Sequence, residues 1–328
     1  MSSNPNTTTF VNRYKPYFIK DFNLEDKQLL LYQTLISMHE LNILIVGAEC
    51  SGKTTLMNAI IRDYYGLSAK AVMPEYNIML INNLKEQGIQ FFRNDMKTFC
   101  QSQSNIQGKK KIIMVDDIDM INEQSQQVFR NYIDKYSNNV QLIASCTNVQ
   151  KVNESLQSRL HITKIEKMKR EHLEAIMNKI IETEGLNIEL DAQTFMLNVC
   201  GGAVRVLINY LEKIFIYQWT DKTPITLEKA NYICSNISFM QFNNFIIAVK
   251  EHNLETAICV LNGIYEYGYS VIDILDYFFK YIKHTDLLTN SEKYRVLPYL
   301  CKYITIFHKV HEDPIELAFF ANNLIKIM

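Results

Sequence analysis

The chain has 328 residues, 48% of them hydrophobic and 21% charged, a balance typical of a soluble globular protein with two or three domains. Its formal net charge is −1, so any nucleic-acid binding must come from a local basic patch. No apolar run approaches the ~20 residues of a membrane span, and the N-terminus lacks the basic start and apolar core of a secretory signal. The seven scattered cysteines favour a reducing compartment and argue against a zinc ribbon.

Apolar runs and helical runs alternate in the first half of the chain. After a polar tail at 1–9, the spacing of the leucines predicts a helix within 25–40. Predicted strands lie at 41–46, 78–81, 111–115, 140–146 and 161–165, and predicted helices lie at 53–65, 88–101 and 123–136. Strands that are apolar throughout and separated by helices predict a parallel sheet covered on both faces.

The second half of the chain has helical periodicity only. Predicted helices lie at 168–184, 191–199, 203–217 and 227–234, and residues 240–328 are helical with expected breaks at Gly263, Gly268, Pro298 and Pro314. The sequence therefore predicts a flexible tail at 1–9, an α/β nucleotide domain at 10–166, a small helical domain at 167–235 and a larger helical domain at 236–328. The basic run Gly108–Lys111 is interpreted as a solvated loop before a strand.

A nucleotide site is indicated by the stretch V-G-A-E-C-S-G-K-T-T at 46–55, which fits the P-loop pattern G-x-x-x-x-G-K-[ST]. Backbone N–H groups and the following helix N-terminus face the phosphates, so close approach needs small residues such as Gly47 and Gly52. Lys53 is expected to reach the β- and γ-phosphates, and the Thr54 hydroxyl is expected to bind Mg²⁺. The predicted binding residues for ATP are Gly47, Ala48, Glu49, Cys50, Ser51, Gly52, Lys53, Thr54 and Thr55.

Acidic and amide side chains end two later strands. The apolar run at 112–115 ends in Asp116 and Asp117; Asp116 is the candidate second Mg²⁺ ligand and Asp117 the candidate base beside the attacking water. The strand 140–146 is followed by Asn148, whose side chain can orient that water. Asn also favours ordinary turns after strands, so this residue alone leaves both interpretations open.

Between residues 10 and 211, the P-loop and the acidic strand end are accompanied by further motifs in a fixed order. The chain resembles the small subunits of replication factor C, the sliding-clamp loader of the AAA+ class. The similar segments are F-V-N-R-Y-K-P at 10–16, L-K-E-Q-G-I-Q-F-F-R-N-D-M-K-T-F at 84–99, S-Q-Q-V-F-R at 125–130, D-K-Y-S at 134–137, Q-S-R-L at 157–160 and G-A-V-R-V-L-I-N at 202–209. Beyond residue 211 only the helical character is similar.

This resemblance implies an AAA+ α/β domain, a small helical lid and an all-helical collar that joins subunits in a five-membered ring. It implies that Val11 and Lys15 flank the adenine, and that Asn148 and Arg205 sense the γ-phosphate. Arg159 becomes an arginine finger acting on a neighbour's nucleotide. The further functional residues that it implies are Gln126, near a switch linking DNA to the site, and Arg93 and Lys97, which contact the backbone of primer–template DNA.

The same resemblance implies partners and a place in the cell. The expected partners are the other loader subunits, a sliding clamp and primer–template DNA, with no membrane. The expected location is the nucleus or another intracellular replication compartment, or a viral factory if this diverged chain is viral. The many Asn, Ile and Lys residues suggest an AT-rich genome.

The sequence also departs from the family pattern. The loop interior Ala48–Ser51 replaces Pro-Pro-Gly-Thr, and Asp117 replaces the usual Glu, which shortens the base by one methylene. Because proton transfer depends steeply on distance, the second change favours slow hydrolysis. Two alternatives therefore stay open: an ATP-binding subunit of the same ring that barely hydrolyses, and a different AAA+ machine that remodels DNA.

Overall fold

The computed structural model describes residues 8–81, 89–220, 223–234, 239–285, 287–307 and 311–328, without the side chains of 89–93 and 220. The chain divides into two compact units: residues 1–177 with 202–209, and residues 178–201 with 210–328. Part of the motif at 84–99 and most of the tail at 1–9 lie outside the described residues.

The first unit alternates strands and helices. Its elements are α1 (Phe10–Arg13), α2 (Asp26–Ser37), β1 (Ile43–Gly47), α3 (Lys53–Tyr65), β2 (Ile78–Ile81), α4 (Ile89–Gln101), β3 (Lys111–Val115), α5 (Glu123–Lys135), β4 (Val140–Cys146), α6 (Glu154–Gln157), β5 (His161–Ile165) and most of α7 (Arg170–Glu184). The strands and the longer helices follow the apolar periodicity of the sequence. The four-residue helices α1 and α6 are not predicted, because they are too short to show a helical period.

The five strands form one parallel sheet in the order β2-β3-β4-β1-β5. Because β1 pairs with both β4 and β5, the loop that leaves β1 lies beside the carboxyl end of β4. Apolar clusters cover both faces, one around Phe129 and Leu142 and the other around Ile43 and Ile60. The predicted parallel α/β architecture followed by helices is confirmed.

The second unit is helical. Its elements are α8 (Leu190–Val199), α9 (Val204–Thr220), α10 (Leu227–Cys234), α11 (Phe239–Lys250), α12 (Leu254–Glu266), α13 (Val271–His284), α14 (Asn290–Phe307) and α15 (Ile315–Ile327), although the first residues of α9 belong to the first unit. Among the described residues after β5, the β-pairing is limited to a single bridge between Ile188 and Ile225. None of the described helices is long and apolar enough to cross a bilayer.

Aromatic side chains fill the core formed by α11–α15. Phe320 contacts the rings of Phe245, Phe278 and Tyr303, with centroids 5.4 to 6.4 Å apart. Trp219, the one tryptophan of the sequence, lies on α9 beside Phe215 and is 70% exposed. The dense aromatic sequence after residue 240 therefore forms a helical core.

Two of the four expected helix breaks are wrong. Gly268 follows α12 with φ +94° and Pro314 precedes α15, but Gly263 lies inside α12 and Pro298 inside α14. Pro298 is exposed, so the hydrogen bond that it removes falls on the face that water can solvate. Gly263 lies between buried Leu261 and Ile264, whose packing outweighs the ~1 kcal/mol cost of a helical glycine.

The basic run Gly108–Lys111 is also not wholly solvated. Lys111 begins β3 and is 3% exposed. Its ammonium donates to the Ser102 hydroxyl at 2.6 Å and to the Phe99 carbonyl at 3.3 Å, and it lies 4.5 Å from the centroid of the Phe99 ring. Hydrogen bonds and the aromatic face offset the desolvation of the charge, so this lysine is part of the fold.

Candidate nucleotide-binding site

The P-loop connects β1 to α3 in a conformation that small residues permit. Gly52 has φ +94°, and a Cβ at Gly47 would lie 2.8 Å from the Ser51 hydroxyl oxygen and 3.1 Å from the Ile165 carbonyl oxygen. Cys50, at φ +56°, adopts a left-handed conformation that few side chains favour. Ala48 and Glu49 are exposed at the rim of the loop, and Thr55 follows on the first turn of α3.

Two polar groups of the P-loop are poised for an anion. Lys53 is 7% exposed, and its ammonium donates to the carbonyls of Gly47 at 3.0 Å and Ala48 at 3.1 Å. The Ser51 hydroxyl is buried and has no hydrogen-bond partner among the described residues. A buried cation and an unpaired hydroxyl inside a glycine-containing loop fit the phosphates of a nucleotide.

The candidate Mg²⁺ ligands lie in direct contact. The Thr54 hydroxyl donates to Asp116 Oδ2 at 2.8 Å, across 62 positions of sequence. The other carboxylate oxygen, Asp116 Oδ1, accepts from the Ser145 hydroxyl at 2.5 Å. Hydroxyl and carboxylate oxygens are the ligands that Mg²⁺ prefers, so these two residues fit the metal that accompanies a nucleotide.

Asp117 follows in a left-handed conformation with φ +50°, which Asp tolerates better than most residues. Its backbone N–H donates to the Ser145 hydroxyl at 3.0 Å, so one serine of β4 contacts both consecutive aspartates. Burial, and after it the charge of Asp116, raises the pKa of Asp117 above the ordinary value, whereas Lys53 opposes the rise. A raised pKa makes a carboxylate a better proton acceptor.

A short turn after β4 contains Asn148, the candidate sensor of the γ-phosphate. Asn148 is exposed; its side-chain oxygen accepts from the Gln150 N–H at 2.9 Å and thereby caps the 3-10 turn Val149–Lys151. Its backbone N–H and both the N–H and hydroxyl of Thr147 donate to Asp119. The prediction from sequence included Asn148 but missed Ser145 and Asp119, although a serine in an apolar strand and a third aspartate within 116–119 are visible signals.

Gln126 joins two segments that border this site. Its amide nitrogen donates to the carbonyls of Ile118, Ile121 and Lys151 at 2.9 to 3.2 Å, and its oxygen accepts from the Asn153 N–H at 2.7 Å. The side chain is 1% exposed. It therefore links the turn after β3 to the segment after β4.

The predicted adenine and lid residues also lie in the first unit. Val11 belongs to α1, next to buried Phe10, and Arg205 is exposed on the first turn of α9. Burial, followed by the charges of Arg62 and Arg205, lowers the pKa of Lys15. The fold thus brings Lys15 near two other cations, a grouping that attracts an anionic ligand.

Arg159 lies after α6, and two of the three nitrogens of its guanidinium donate hydrogen bonds to groups of the same chain. Nε donates to Asp134 Oδ1 at 2.6 Å; one terminal nitrogen donates to the Ser155 carbonyl at 2.6 Å and the Ser158 hydroxyl at 3.2 Å. The other terminal nitrogen has no partner within the described part of the chain. The hydrogen bond that Arg159 donates to the Asp134 carboxylate raises the pKa of Arg159, which stays charged.

The two candidate DNA contacts are four residues apart on α4. Lys97 is exposed, whereas the side chain of Arg93 lies outside the described residues. The buried Met96 and Cys100 mark the core-facing side of the helix. Positions four apart share one side of a helix, which is the spacing that the prediction requires.

Comparisons with known proteins agree with this geometry. The family model described as "ATPase family associated with various cellular activities (AAA)" matches residues 43–167, which include β1 to β5 and every residue of the P-loop and its acidic partners. The parallel sheet and P-loop thus define the class: the chain contains an AAA ATPase domain, a class that binds nucleotide.

Curated relatives narrow the resemblance to replication factor C. Replication factor C subunit 2 of Arabidopsis thaliana is 23% identical over 296 residues, covering 88% of this chain and 86% of that protein. A protein described as a replication factor C small subunit of Acanthamoeba polyphaga mimivirus is 24% identical, with coverage of 87% and 86%. The replication factor C small subunit of Picrophilus torridus is 23% identical, with 90% of both chains covered. The resemblance found from the motifs is confirmed.

A solved structure shares the fold. The Thermotoga maritima RuvB Holliday junction branch migration motor superposes with a TM-score of 0.54 at 16% identity, covering 77% of this chain and 86% of that one. At this identity the likeness concerns the fold alone.

Proposed function

We propose that this chain is an ATPase subunit of a DNA sliding-clamp loader, which uses ATP to open the clamp and place it on primer–template DNA. The contact between Thr54 and Asp116, at 2.8 Å, is the observation that carries the proposal, because it joins the two halves of an Mg²⁺–nucleotide site. Similarity to replication factor C subunits over most of the chain supports the choice of machine.

Each residue of the site has a proposed role in hydrolysis. Lys53 binds the β- and γ-phosphates, and Thr54 and Asp116 hold Mg²⁺, which would neutralise charge on the phosphate oxygens. Asp117 accepts the proton of the attacking water, and Asn148 orients that water and senses the γ-phosphate. Ser145 fixes both aspartates by contacting the Asp116 carboxylate and the Asp117 N–H.

Residues beyond the P-loop complete the proposed nucleotide site. Val11 and Lys15 flank the adenine, and Arg205 acts as the second γ-phosphate sensor. The pKa of Lys15 is lowered by burial and then by the charges of Arg62 and Arg205, and this group of cations supports an anion nearby. In the proposed division, residues 167–235 form the lid and residues 236–328 the collar of a five-membered ring, while Arg93 and Lys97 contact DNA phosphates.

Arg159 is proposed to act on the nucleotide of the neighbouring subunit. Asp134, Ser155 and Ser158 hold two of its three nitrogens, which orients the planar guanidinium before any partner arrives. The remaining nitrogen is available for a phosphate oxygen across an interface. An arginine supplied in this way is worth ~10³–10⁵ in rate.

The test of the function combines identification of partners with one mutation. Purification of the tagged chain from its source at native salt should recover further clamp-loader subunits and a clamp. In rings assembled from defined subunits, Arg159→Ala should silence hydrolysis at the adjacent site and leave nucleotide binding by the mutated subunit intact. Loss at the mutated subunit's own site, with the neighbour still active, would contradict the assignment in trans.

A second candidate is a subunit of the same ring that binds ATP but barely hydrolyses it. The short side chain of Asp117 favours this candidate, because one methylene fewer lengthens the path of the proton. The intact set of Lys53, Thr54 and Asp116 favours the active subunit.

Asp117→Ala separates the two candidates. In the assembled complex, an active subunit predicts that ATP turnover at its own site falls by about 10²-fold or more, as for loss of a general base, and that the rate of the ring falls by that site's share. A weakly hydrolysing subunit predicts an unchanged total rate. Asp26→Ala, which removes an exposed carboxylate on the first turn of α2, is the control.

A branch-migration or origin-binding machine is less well supported. Such machines usually add a winged-helix domain with a β-hairpin, whereas the described residues after β5 form helices and one isolated bridge. For the clamp-loader proposal, the corresponding site of action is the nucleus or another replication compartment, including a viral factory.

A further inference from the structure

We propose that Asp119 is a positioning residue of the nucleotide site: it holds the Thr147–Asn148 turn in place and thereby sets the group that reads the γ-phosphate. This inference rests on the proposed ATPase function and adds a residue that neither motif nor spacing assigns. It concerns a contact between the ends of β3 and β4, two neighbouring strands of the sheet.

One carboxylate oxygen gathers three donors. Asp119 Oδ2 accepts from the Thr147 hydroxyl at 2.6 Å, from the Asn148 N–H at 3.0 Å and from the Thr147 N–H at 3.2 Å. Asp119 is 7% exposed and lies in the 3-10 turn Ile118–Met120. The three donors come from two consecutive residues, so the carboxylate fixes both the position and the direction of that turn.

The charge of Asp119 strengthens this attachment. Burial alone would raise the pKa of Asp119, but the hydrogen bonds from Thr147 and Asn148 outweigh burial and lower it below the ordinary value. The side chain therefore remains an anion. Hydrogen bonds to an ionised acceptor are stronger than neutral ones, and withdrawing the turn would leave a buried charge without its donors.

With the Asn148 backbone bound to Asp119, the amide nitrogen of the Asn148 side chain can donate to a ligand. Its oxygen is used by the Gln150 N–H, whereas its amide nitrogen has no partner in the described part of the chain. An amide N–H₂ is a donor suited to a phosphate oxygen. Asp119 also follows Asp116 and Asp117 by only two or three residues, so the metal ligand, the base and the anchor of the sensor belong to one short segment.

A purely structural role for Asp119 makes a different prediction from a positioning role. A structural residue would weaken folding and the binding of all nucleotides together. A positioning residue would selectively reduce the preference for a nucleotide that carries a γ-phosphate. Asp119→Asn can keep the acceptor oxygen while removing the charge, and Thr147→Val removes only the shortest of the three hydrogen bonds.

The experiment measures the Kd of Mg²⁺–ADP and the Kd of the non-hydrolysable ATP analogue with a β,γ-imido bridge, both on the isolated chain of 328 residues. We expect Asp119→Asn to reduce the preference for the analogue over ADP about tenfold, the effect of one lost charge-assisted hydrogen bond, while the Kd of ADP changes less than about twofold. Thr147→Val should reduce the same preference by a smaller factor. Asp26→Asn is the control for the lost charge.

A double-mutant cycle tests whether Asp119 acts through Asn148. Adding Asp119→Asn to Asn148→Ala should cause no further loss of the preference, because the group that Asp119 positions is already gone. An unchanged preference in both Asp119→Asn and Thr147→Val would overturn the inference. Parallel loss of ADP and analogue binding in the well-folded Thr147→Val variant would also overturn it. Absence of nucleotide binding by the unmutated chain would instead refute the proposed function itself.

Discussion

Lys53 is buried, and its ammonium donates to two carbonyl oxygens of its own loop, those of Gly47 and Ala48. We expect Lys53→Ala to weaken ATP binding at least about tenfold, because losing a hydrogen bond from a charged donor costs ~1.5–3 kcal/mol. Titration of the isolated chain with a fluorescent ATP analogue measures the change. Lys169→Ala removes an exposed lysine and serves as the control; equal affinities of the two variants would contradict the role of Lys53.

At this scale the sequence predicts the site only in part. Lys53, Thr54 and Asp116 are candidates from the sequence because the P-loop has a fixed spacing and the acidic strand end follows it at a typical distance. Ser145 and Asp119 are not found, because their roles depend on which strands are neighbours. The pairing of Val115 with Ala144 brings the ends of β3 and β4 together, and this register is not encoded in any local motif.

Helix α4 is the element on which the proposed DNA contact depends. Replacing both Arg93 and Lys97 with Ala should weaken binding of primer–template DNA equally for all sequences, because phosphate contacts carry no base information. The slope of log affinity against log salt should flatten by roughly two phosphate contacts. Fluorescence anisotropy over a salt series, with the assembled ring, measures both quantities.

The control for α4 removes the same net charge elsewhere. Lys27 and Lys70 are both exposed, and their double Ala variant should keep the affinity and the salt slope of the unmutated ring. A loss that depends on DNA sequence, or an equal loss in both double variants, would count against backbone contacts by α4.

The limits of the strands and helices could be predicted from the sequence with different success, and the difference has a physical reason. The strands β2, β3, β4 and β5 and the helices α3 and α10 begin and end where the sequence predicts. For β3 and β4, which are buried along their whole length, the reason is that a largely apolar run stands out between polar segments. Helix interiors in the last third were less predictable. At Gly263 and Pro298 the packing of the apolar face overrides the local preference to break the helix.

Adjacent phenylalanines on α15 offer a matched test of the helical core. Phe320 is 1% exposed and Phe319 is 51% exposed. Phe320→Ala should lower the free energy of unfolding by about 3–5 kcal/mol, because it empties the space between three aromatic neighbours. Phe319→Ala should change it by less than about 1 kcal/mol in the isolated chain. Urea denaturation followed by circular dichroism measures both, and equal destabilisation would show that the core does not form around Phe320.

At the scale of the whole molecule, the position of Trp219 means that only one of the two compact units has tryptophan fluorescence. The one indole of the sequence belongs to the helical unit, and the AAA fold with its P-loop contains only tyrosine and phenylalanine as aromatic fluorophores. Emission excited at the red edge of the tryptophan band therefore reports on the helical unit alone. Melting curves recorded by tryptophan emission and by far-ultraviolet ellipticity therefore report on different parts of the chain. Comparing the two with and without nucleotide measures whether a ligand at the P-loop also stabilises the helical unit.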